Sequence, residues 1–433
     1  MKYALAIDIG ASSGRHIIGY KQNGQIIVEE IYRFPNGVKN DNGHLIWDID
    51  ALFNEIINGL KKAKEINKIP EVIGIDTWAV DYALLDNKDQ LIGNIYAYRD
   101  HRTEKSIPIV HSLISHQELY SATGIQYQPF NTIYQLYEDK MSLRLNEAHT
   151  FLMLPDYLNF LLTGRKKQEY TNATSTSLVN SMKQTWDSYI LSRLDLPKSL
   201  FSELSKPGTF VGYFKDEISN LVGYKARVIL PATHDTASAV EALDIPNYIP
   251  YISSGTWSLL GVKVDRSKND EESRRGNWSN EGGPNYFRYQ KNIMGMWLIQ
   301  SLKKELCPDL DFLTITDMAK ESSCDLLINA NDPSLLAPKS MKQAFDKLLN
   351  NPTLEIRDYF RIAYRSLAYS YKQALEELSK NTNRSFNELY IVGGGAKNTF
   401  LNTLTEEICH IKVIALPIEA TALGNLKILL NDF

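Results

Sequence analysis

The sequence predicts an α/β protein of two domains, each opening on two strands joined by a turn of glycine and hydroxyl residues. Three observations carry this. An antiparallel meander at the N-terminus is followed by a helix and a further buried strand, which reads as a parallel crossover onto the same sheet. A second strand–turn–strand of the same plan occurs at residues 251–264. Between them, residues 241–250 hold two prolines and mark a boundary, giving expected domains at 1–243 and 244–433.

Composition narrows the function classes. The chain has 433 residues, 43% hydrophobic and 23% charged, as in ordinary soluble globular proteins. A net charge of -4 gives no electrostatic case for nucleic acid or an anionic membrane as partner. No apolar run reaches bilayer-spanning length, and Asp8 comes too early for a secretion signal. Cys307, Cys324 and Cys409 are odd in number and widely spaced, with no metal-ligand pattern. The expectation is a reduced, cytoplasmic protein.

Taken in order, residues 2–9 read as a buried strand, 10–14 as a turn, 15–20 as a second strand and 26–32 as a third. Asn23-Gly24 between the last two is a two-residue hairpin signal. The turn Gly10-Ala11-Ser12-Ser13-Gly14, flanked by Arg15, is either a plain tight hairpin or a phosphate cradle of backbone N–H, hydroxyl and guanidinium donors. Asp8 stands where it could hold a metal ion on those phosphates. The Walker pattern is absent, because no Gly-Lys-Ser/Thr follows. Asp48 or Asp50 can cap a helix with Leu52, Phe53, Ile56, Ile57 and Leu60 on one face, and 71–76 reads as the next strand. The antiparallel start disfavours a Rossmann domain. Residues 76–81 and 96–102 cluster polar groups beside aromatics, fitting either a polyhydroxylated ligand or a salt-bridge network with buried tyrosines. Residues 103–225 read as largely helical, with breaks at Thr163-Gly164 and Asn172-Ala173.

After the apolar run Val228-Ile229-Leu230 comes Pro231-Ala232-Thr233-His234-Asp235-Thr236-Ala237. A carboxylate at a buried strand's end must be solvated, paired or used. Asp235 is thus either the cap of the following helix or a base that takes a proton from a substrate hydroxyl. In the second half, Tyr251–Ser253 and Trp257–Val264 flank Ser254-Gly255-Thr256, which suggests a duplicated architecture with phosphates held between the halves. The charged segment to Arg275 reads as a solvated loop. Residues 292–300 read as a helix with Asn292, Met296 and Gln300 on one side. Residues 355–378 form a long helix with Ile356, Phe360, Ala363, Leu367, Tyr371 and Leu378 as its buried stripe. A strand at 388–392 ends in Gly393-Gly394-Gly395, which either offers bare backbone to a flat ligand such as adenine or permits a close helix–strand crossing. A last strand at 411–416 leads through Pro417 to a helix near Glu419.

In this order the pieces resemble the FGGY carbohydrate kinases of the sugar kinase/heat-shock/actin superfamily, from residue 4 to about 425. The resemblance rests on Asp-Ile-Gly-Ala-Ser-Ser-Gly-Arg at 8–15, Ile-Asp-Thr-Trp at 75–78, Ala-Tyr-Arg-Asp at 97–100 and Thr-His-Asp-Thr-Ala-Ser-Ala at 233–239. It continues in Ser-Ser-Gly-Thr-Trp-Ser at 253–258, Lys-Asn-Ile-Met-Gly at 291–295 and Val-Gly-Gly-Gly at 392–395. It implies two ribonuclease-H-like domains around a central cleft, and ATP-dependent phosphorylation of L-rhamnulose on its 1-hydroxyl. L-fuculose, xylulose and glycerol are the alternative substrates, and a binder without turnover is the alternative class. The implied base is Asp235, with Ala79, His234, Thr236 and Asn292 around the ketose. Ala11, Ser12, Ser13, Gly14, Arg15, Thr256, Gln300 and Gly394 are the implied ATP contacts, with Mg2+ on the phosphates near Asp8.

Two departures stand out. Position 79 is alanine where the family usually has glycine, adding one methyl to the implied sugar site. Similar chains also continue past Leu423-Gly424-Asn425 with further helix, so the short end here is expected to expose an apolar patch or to leave the ATP-side domain mobile.

Overall fold

Strands β1 (Tyr3–Ile9), β2 (Ser13–Gln22), β3 (Gln25–Pro35), β4 (Pro70–Thr77), β5 (Phe210–Tyr213) and β6 (Arg227–Ile229) form a sheet in the order β5-β6-β4-β1-β2-β3. The structure, a computed structural model, describes residues 2–336, 338–350, 353–416 and 419–431. It divides into two compact units. One comprises residues 1–244, 264–289 and 420–433, and the other 245–263 and 290–419.

In the first unit, β1, β2 and β3 run antiparallel, and β4 lies parallel to β1. β6 is parallel to β4, with β5 antiparallel on its outer edge. Asn23 and Gly24 take φ of 52° and 78°, the paired left-handed conformation that matches the twist of β2 and β3. Strand β1 alternates between two apolar faces. Leu5, Ile7 and Ile9 join helix α1 (Ile49–Glu65), whose N-cap Asp48 accepts from the Ala51 N–H. The other face is shallower.

Five more helices matter here: α2 (Asp235–Glu241), α3 (Trp297–Leu306), α4 (Ile356–Thr382), α5 (Thr399–Cys409) and α6 (Ala420–Leu430). Ala4, Ala6, Ile17, Val72 and Ile229 receive Leu426, Leu429 and Leu430 of α6. Small residues make that approach possible. A Cβ on Gly19 or Gly74 would come 2.7 Å from Leu426 or 2.8 Å from Asn425, and one on Gly424 would meet the Ser238 carbonyl of α2. The end of the described chain therefore packs on the first unit.

The second unit is built on β7 (Tyr251–Ser254) and β8 (Trp257–Val264), with β9 (Ser279–Gly282) in the first unit and β10 (Phe287–Met294) crossing the boundary at 289/290. With β11 (Glu388–Val392) and β12 (Lys412–Ala415) the order is β10-β8-β7-β11-β12. β7 is antiparallel to β8 and parallel to β11, and β11 is parallel to β12. This repeats β3-β2-β1-β4-β6, with α4 in the place of α1 before the first parallel strand.

Several expectations change. Residues 292–300 are not one helix: Asn292 lies in β10, and α3 begins only at Trp297. The break falls at Gly295, where a Cβ would sit 2.6–2.8 Å from the backbone of residues 255–257, so tertiary packing overrides the helical spacing. Within 103–225, β5 and the pairing of Thr150–Met153 with Tyr82–Leu85 are strands. Gly164 ends a helix with φ 69°, whereas Asn172 and Ala173 lie inside the short helix Tyr170–Ala173. Glu271–Arg275 is helical, capped by Asp270, rather than a loop. Ile356 is 43% exposed at the N-terminus of α4, while the rest of the expected stripe is buried. Pro417 lies outside the described residues.

Candidate active site

In the first unit the charged groups converge at the ends of β1, β4 and the segment after β6. Register places Asp8 opposite Arg15 on β2 and beside Asp76 on β4. Arg15 donates from Nε and Nη2 to Asp8 Oδ2 at 2.9 and 2.8 Å. Asp76 is fully buried. Burial, then the charge of Asp8, pushes its pKa well up; an Asn425 hydrogen bond opposes this, and Asp235 adds to it. Asn425 of α6 donates to Asp76 Oδ2 at 2.6 Å and to the Gly74 carbonyl at 3.1 Å. Asp76 Oδ1 is buried without a partner.

The turn after β1 is tied at its base. Gly10 N–H donates to the Ser13 carbonyl at 2.9 Å, and the Asn36 side chain donates to the Gly10 carbonyl at 2.8 Å. Gly14 is buried against the Phe34 ring, Ser12 is exposed at the tip, and Ala11, Ser13 and Arg15 are half-buried.

Asp235 is the first residue of α2, and its N-cap is His234, so Asp235 is not the cap. Its Oδ1 accepts from Thr236 N–H at 2.5 Å and Thr236 Oγ1 at 3.1 Å, and its side chain keeps 31% exposure. His234 Nε2 lies 3.4 Å from the same oxygen. On the other side of the imidazole, Nδ1 lies 3.2 Å from Glu281 Oε2 and 3.1 Å from Nη2 of the wholly buried Arg288. Burial works against an ionised Glu281, yet the charge of Arg288 and the contact with His234 hold its pKa down to about 2.

The cluster at 76–81 is largely internal scaffolding. Asp81 accepts from the indoles of Trp47 and Trp78 at 2.7 and 2.8 Å and from Tyr98 N–H at 3.2 Å, and burial raises its pKa to about 6. Ala79 is half-buried beside Val80, whose φ of 68° is strained for a β-branched residue and is held by Thr132 donating to its carbonyl at 2.7 Å. The cluster at 96–102 is a network too: Arg102 donates to Asp139 at 2.6 Å and lies over the Tyr96 ring.

In the second unit, Gly255 N–H donates to the Trp257 carbonyl at 2.7 Å, and the Gly255 carbonyl accepts from Met296 at 3.0 Å. Gly393 has φ 86°, and a Cβ on it would meet the Ser254 carbonyl at 2.6 Å; Gly394 faces open space. The turn 254–256, the start of α3 and the glycine run thus meet at one end of the sheet. Thr256 is half-buried there, with Gly394 and Gln300 exposed, while Asn292 sits half-buried on β10.

Among the described residues no group of three His, Cys, Asp or Glu side chains is gathered for a metal ion. Sequence reasoning passed over Asn425, Glu281, Arg288 and Glu169. The acid of Glu169-Tyr-Thr-Asn just before a helix was a legible capping signal, whereas the partners of His234 and Asp76 come from distant stretches of chain.

The chain matches the FGGY family of carbohydrate kinases, N-terminal domain, over residues 3–241 and its C-terminal domain over residues 250–430. It is 42% identical to a rhamnulokinase of Oceanobacillus iheyensis, the alignment covering 98% of this chain and 91% of that one. Rhamnulokinases of Halalkalibacterium halodurans and Bacillus subtilis are 42% and 40% identical, with 98% and 97% of this chain and 92% and 88% of theirs covered. In fold it is similar to a ligand-bound xylulose kinase from Lactobacillus acidophilus, with TM-score 0.81 at 17% identity, covering 99% of this chain and 89% of that one. A Plasmodium falciparum glycerol kinase with ADP gives TM-score 0.79 at 15% identity, covering 99% and 89%. No described helix is long and apolar enough to cross a membrane.

Proposed function

The chain belongs to the FGGY family of carbohydrate kinases, which transfer phosphate from ATP to a sugar, and on that premise we propose that its substrate is L-rhamnulose, with Asp235 as general base. The product is L-rhamnulose 1-phosphate, in rhamnose catabolism. The observation that carries the substrate is the identity of about 40% over nearly the whole chain to proteins named rhamnulokinase. Action in the cytoplasm belongs to the same reading, since ATP is the donor.

What supports Asp235 is its combination of fixed geometry and access: one oxygen is held by Thr236, and the side chain remains part-exposed at a helix start. In the reaction the ketose O1 attacks the γ-phosphorus of ATP, the bond from that phosphorus to the ADP oxygen breaks, and the O1 proton passes to the Asp235 carboxylate. Ala79, His234, Thr236 and Asn292 would orient the ketose. ATP would be contacted by Ala11, Ser12, Ser13, Gly14, Arg15, Thr256, Gln300 and Gly394. Asp8, with the partnerless buried Oδ1 of Asp76 on the neighbouring strand, suits Mg2+, which commonly takes one or two carboxylates beside phosphate oxygens. Bound there, the ion would neutralise phosphate charge.

Coupled ATP turnover of the full chain with L-rhamnulose, L-fuculose, D-xylulose, glycerol and no sugar tests the reading. Turnover with L-rhamnulose alone is expected; equal rates with another sugar, or with none, would replace it. Asp235→Asn keeps the side-chain size and removes the acceptor, so kcat is expected to fall by roughly 10²–10⁴-fold with ketose binding retained.

A further inference from the structure

We infer that Glu169 is a positioning residue for phosphoryl transfer, because its carboxylate fixes the turn that carries Asp235. The inference rests on the reading of Asp235 as the base.

Between the end of β6 at Ile229 and the start of α2 at Asp235, the chain has little ladder to define it: a single bridge pairs Thr77 with His234. Thr233 supplies the missing constraint. Its N–H and hydroxyl both donate to Glu169 Oε2, at 3.3 and 2.6 Å. Its carbonyl accepts from Thr77 N–H at 2.9 Å and from the Asn172 side chain at 3.4 Å. Every polar group of the residue two before Asp235 is therefore spoken for.

Glu169 itself is fully buried. Besides Thr233 it accepts from Thr171 N–H and Thr171 Oγ1, each at 2.7 Å, and from Asn172 N–H at 3.0 Å. Five donors on one enclosed carboxylate offset a desolvation cost that would otherwise neutralise it. Burial raises its pKa, and the donors of Thr171, Thr233 and Asn172 act against that rise. The neighbouring Asp156 is also fully buried and is pushed well up, first by burial and then by the charge of Glu169; its Oδ2 accepts the Glu169 N–H at 3.1 Å.

Capping explains only part of the arrangement. A glutamate before the helix Tyr170–Ala173 accounts for the bonds from Thr171 and Asn172, but not for the two from Thr233, 64 residues further on. Nor would an amide do the same. Oε1 faces the Thr171 N–H and Oε2 faces the N–H groups of Asn172 and Thr233, so an NH2 in either place meets a backbone donor that cannot turn away.

The test is steady-state kinetics of the full chain with L-rhamnulose and ATP, alongside thermal unfolding. Glu169→Gln is expected to lower kcat about 10- to 100-fold with both KM values within about threefold, the signature of a displaced base rather than a lost substrate contact. Thr233→Val should lose a similar factor, Thr233→Ser should recover most of it, and the double variant should be no worse than the poorer single one. A lowered Tm with unchanged kcat per folded molecule would make Glu169 merely structural and overturn the inference. If Glu169→Gln does not fold, the threonine pair decides: Thr233→Val losing no more than Thr233→Ser overturns it. Asp235→Asn measured in parallel separates the two readings. An inactive Asp235→Asn with wild-type Glu169→Gln removes this inference alone, and an active Asp235→Asn removes both.

Discussion

The strand pairs β1–β2 and β7–β8 occupy the same place in two runs of five strands of the same order, and they carry opposite chemistry. Each lies beside a parallel strand, β4 or β11, and each turn opens on a glycine whose N–H closes it, Gly10 to Ser13 at 2.9 Å and Gly255 to Trp257 at 2.7 Å. Two residues before the glycine, the first unit has Asp8, facing Arg15 and Asp76 across the ladder. The second has Ser253 there, facing Leu259 and Val392. Three in-register positions thus make an ionic cluster in one sheet and a neutral surface in the other. Where the second unit lacks charge it brings backbone close, through Gly295, Gly393 and Gly395 around the 254–256 turn. One scaffold presents carboxylates beside the turn in the first unit and bare peptide groups beside it in the second.

Breaking the ionic cluster should have the largest effect. Asp8→Ala is expected to cost at least about 10²-fold in kcat/KM, whereas Ser253→Ala, at the equivalent place, should cost less than about tenfold. Comparable losses in coupled assays would mean that the two turns are not functionally distinct.

The next contrast lies in stability against pH. Asp81 of the first unit has its pKa raised by burial from 3.8 to about 6. The fold therefore favours its protonated form, so this contribution is whole below about pH 4 and is lost as pH rises through 6. In the second unit the described carboxylates with resolved shifts, Asp311, Asp332 and Asp346, are all lowered. Asp81→Asn should abolish this contribution, gaining about 2 kcal/mol relative to wild type between pH 4 and 7.5 in denaturant titrations. A constant difference across that range would remove Asp81 as its source.

The smallest effect concerns the glycines. Gly295→Ala places a methyl against backbone and should destabilise by about 1–3 kcal/mol. Gly10→Ala meets only the Ser13 carbonyl at 3.4 Å and should change the unfolding free energy by less than about 0.5 kcal/mol. Equal shifts would show that both turns are packed alike.

Much of this was legible in the chain because local chemistry and tertiary environment agree. The Asn23-Gly24 hairpin, the cap at Asp48 and the buried strand β1 each need only nearby residues, and the strands around both glycine turns fall where their apolar runs end. The reading failed where spacing and packing conflict. Asn292, Met296 and Gln300 have helical spacing, yet the close approach at Gly295 keeps Asn292 on a strand. Phe210–Tyr213 gave no strand signal strong enough to stand out from its helical surroundings, and only pairing with β6 makes it one. The two acids of 76–81 also part company in a way no local pattern shows: two indoles enclose Asp81, while Asp76 stands beside Asp8 and is bonded by Asn425 from the far end of the chain.

By itself the sequence determined the strands that flank the two glycine turns, the turns themselves and the acid at the start of α2, because strand period, turn residues and caps are set by neighbours within a few positions. Tertiary structure alone decided which acids share a site and which are scaffolding. Asp8, Asp76 and Asp235 are brought into each other's field by register and crossover connections, and Glu169 reaches Thr233 across 64 residues. A carboxylate's charge and orientation depend on the donors and burial around it, and those come from residues that no local pattern links to it.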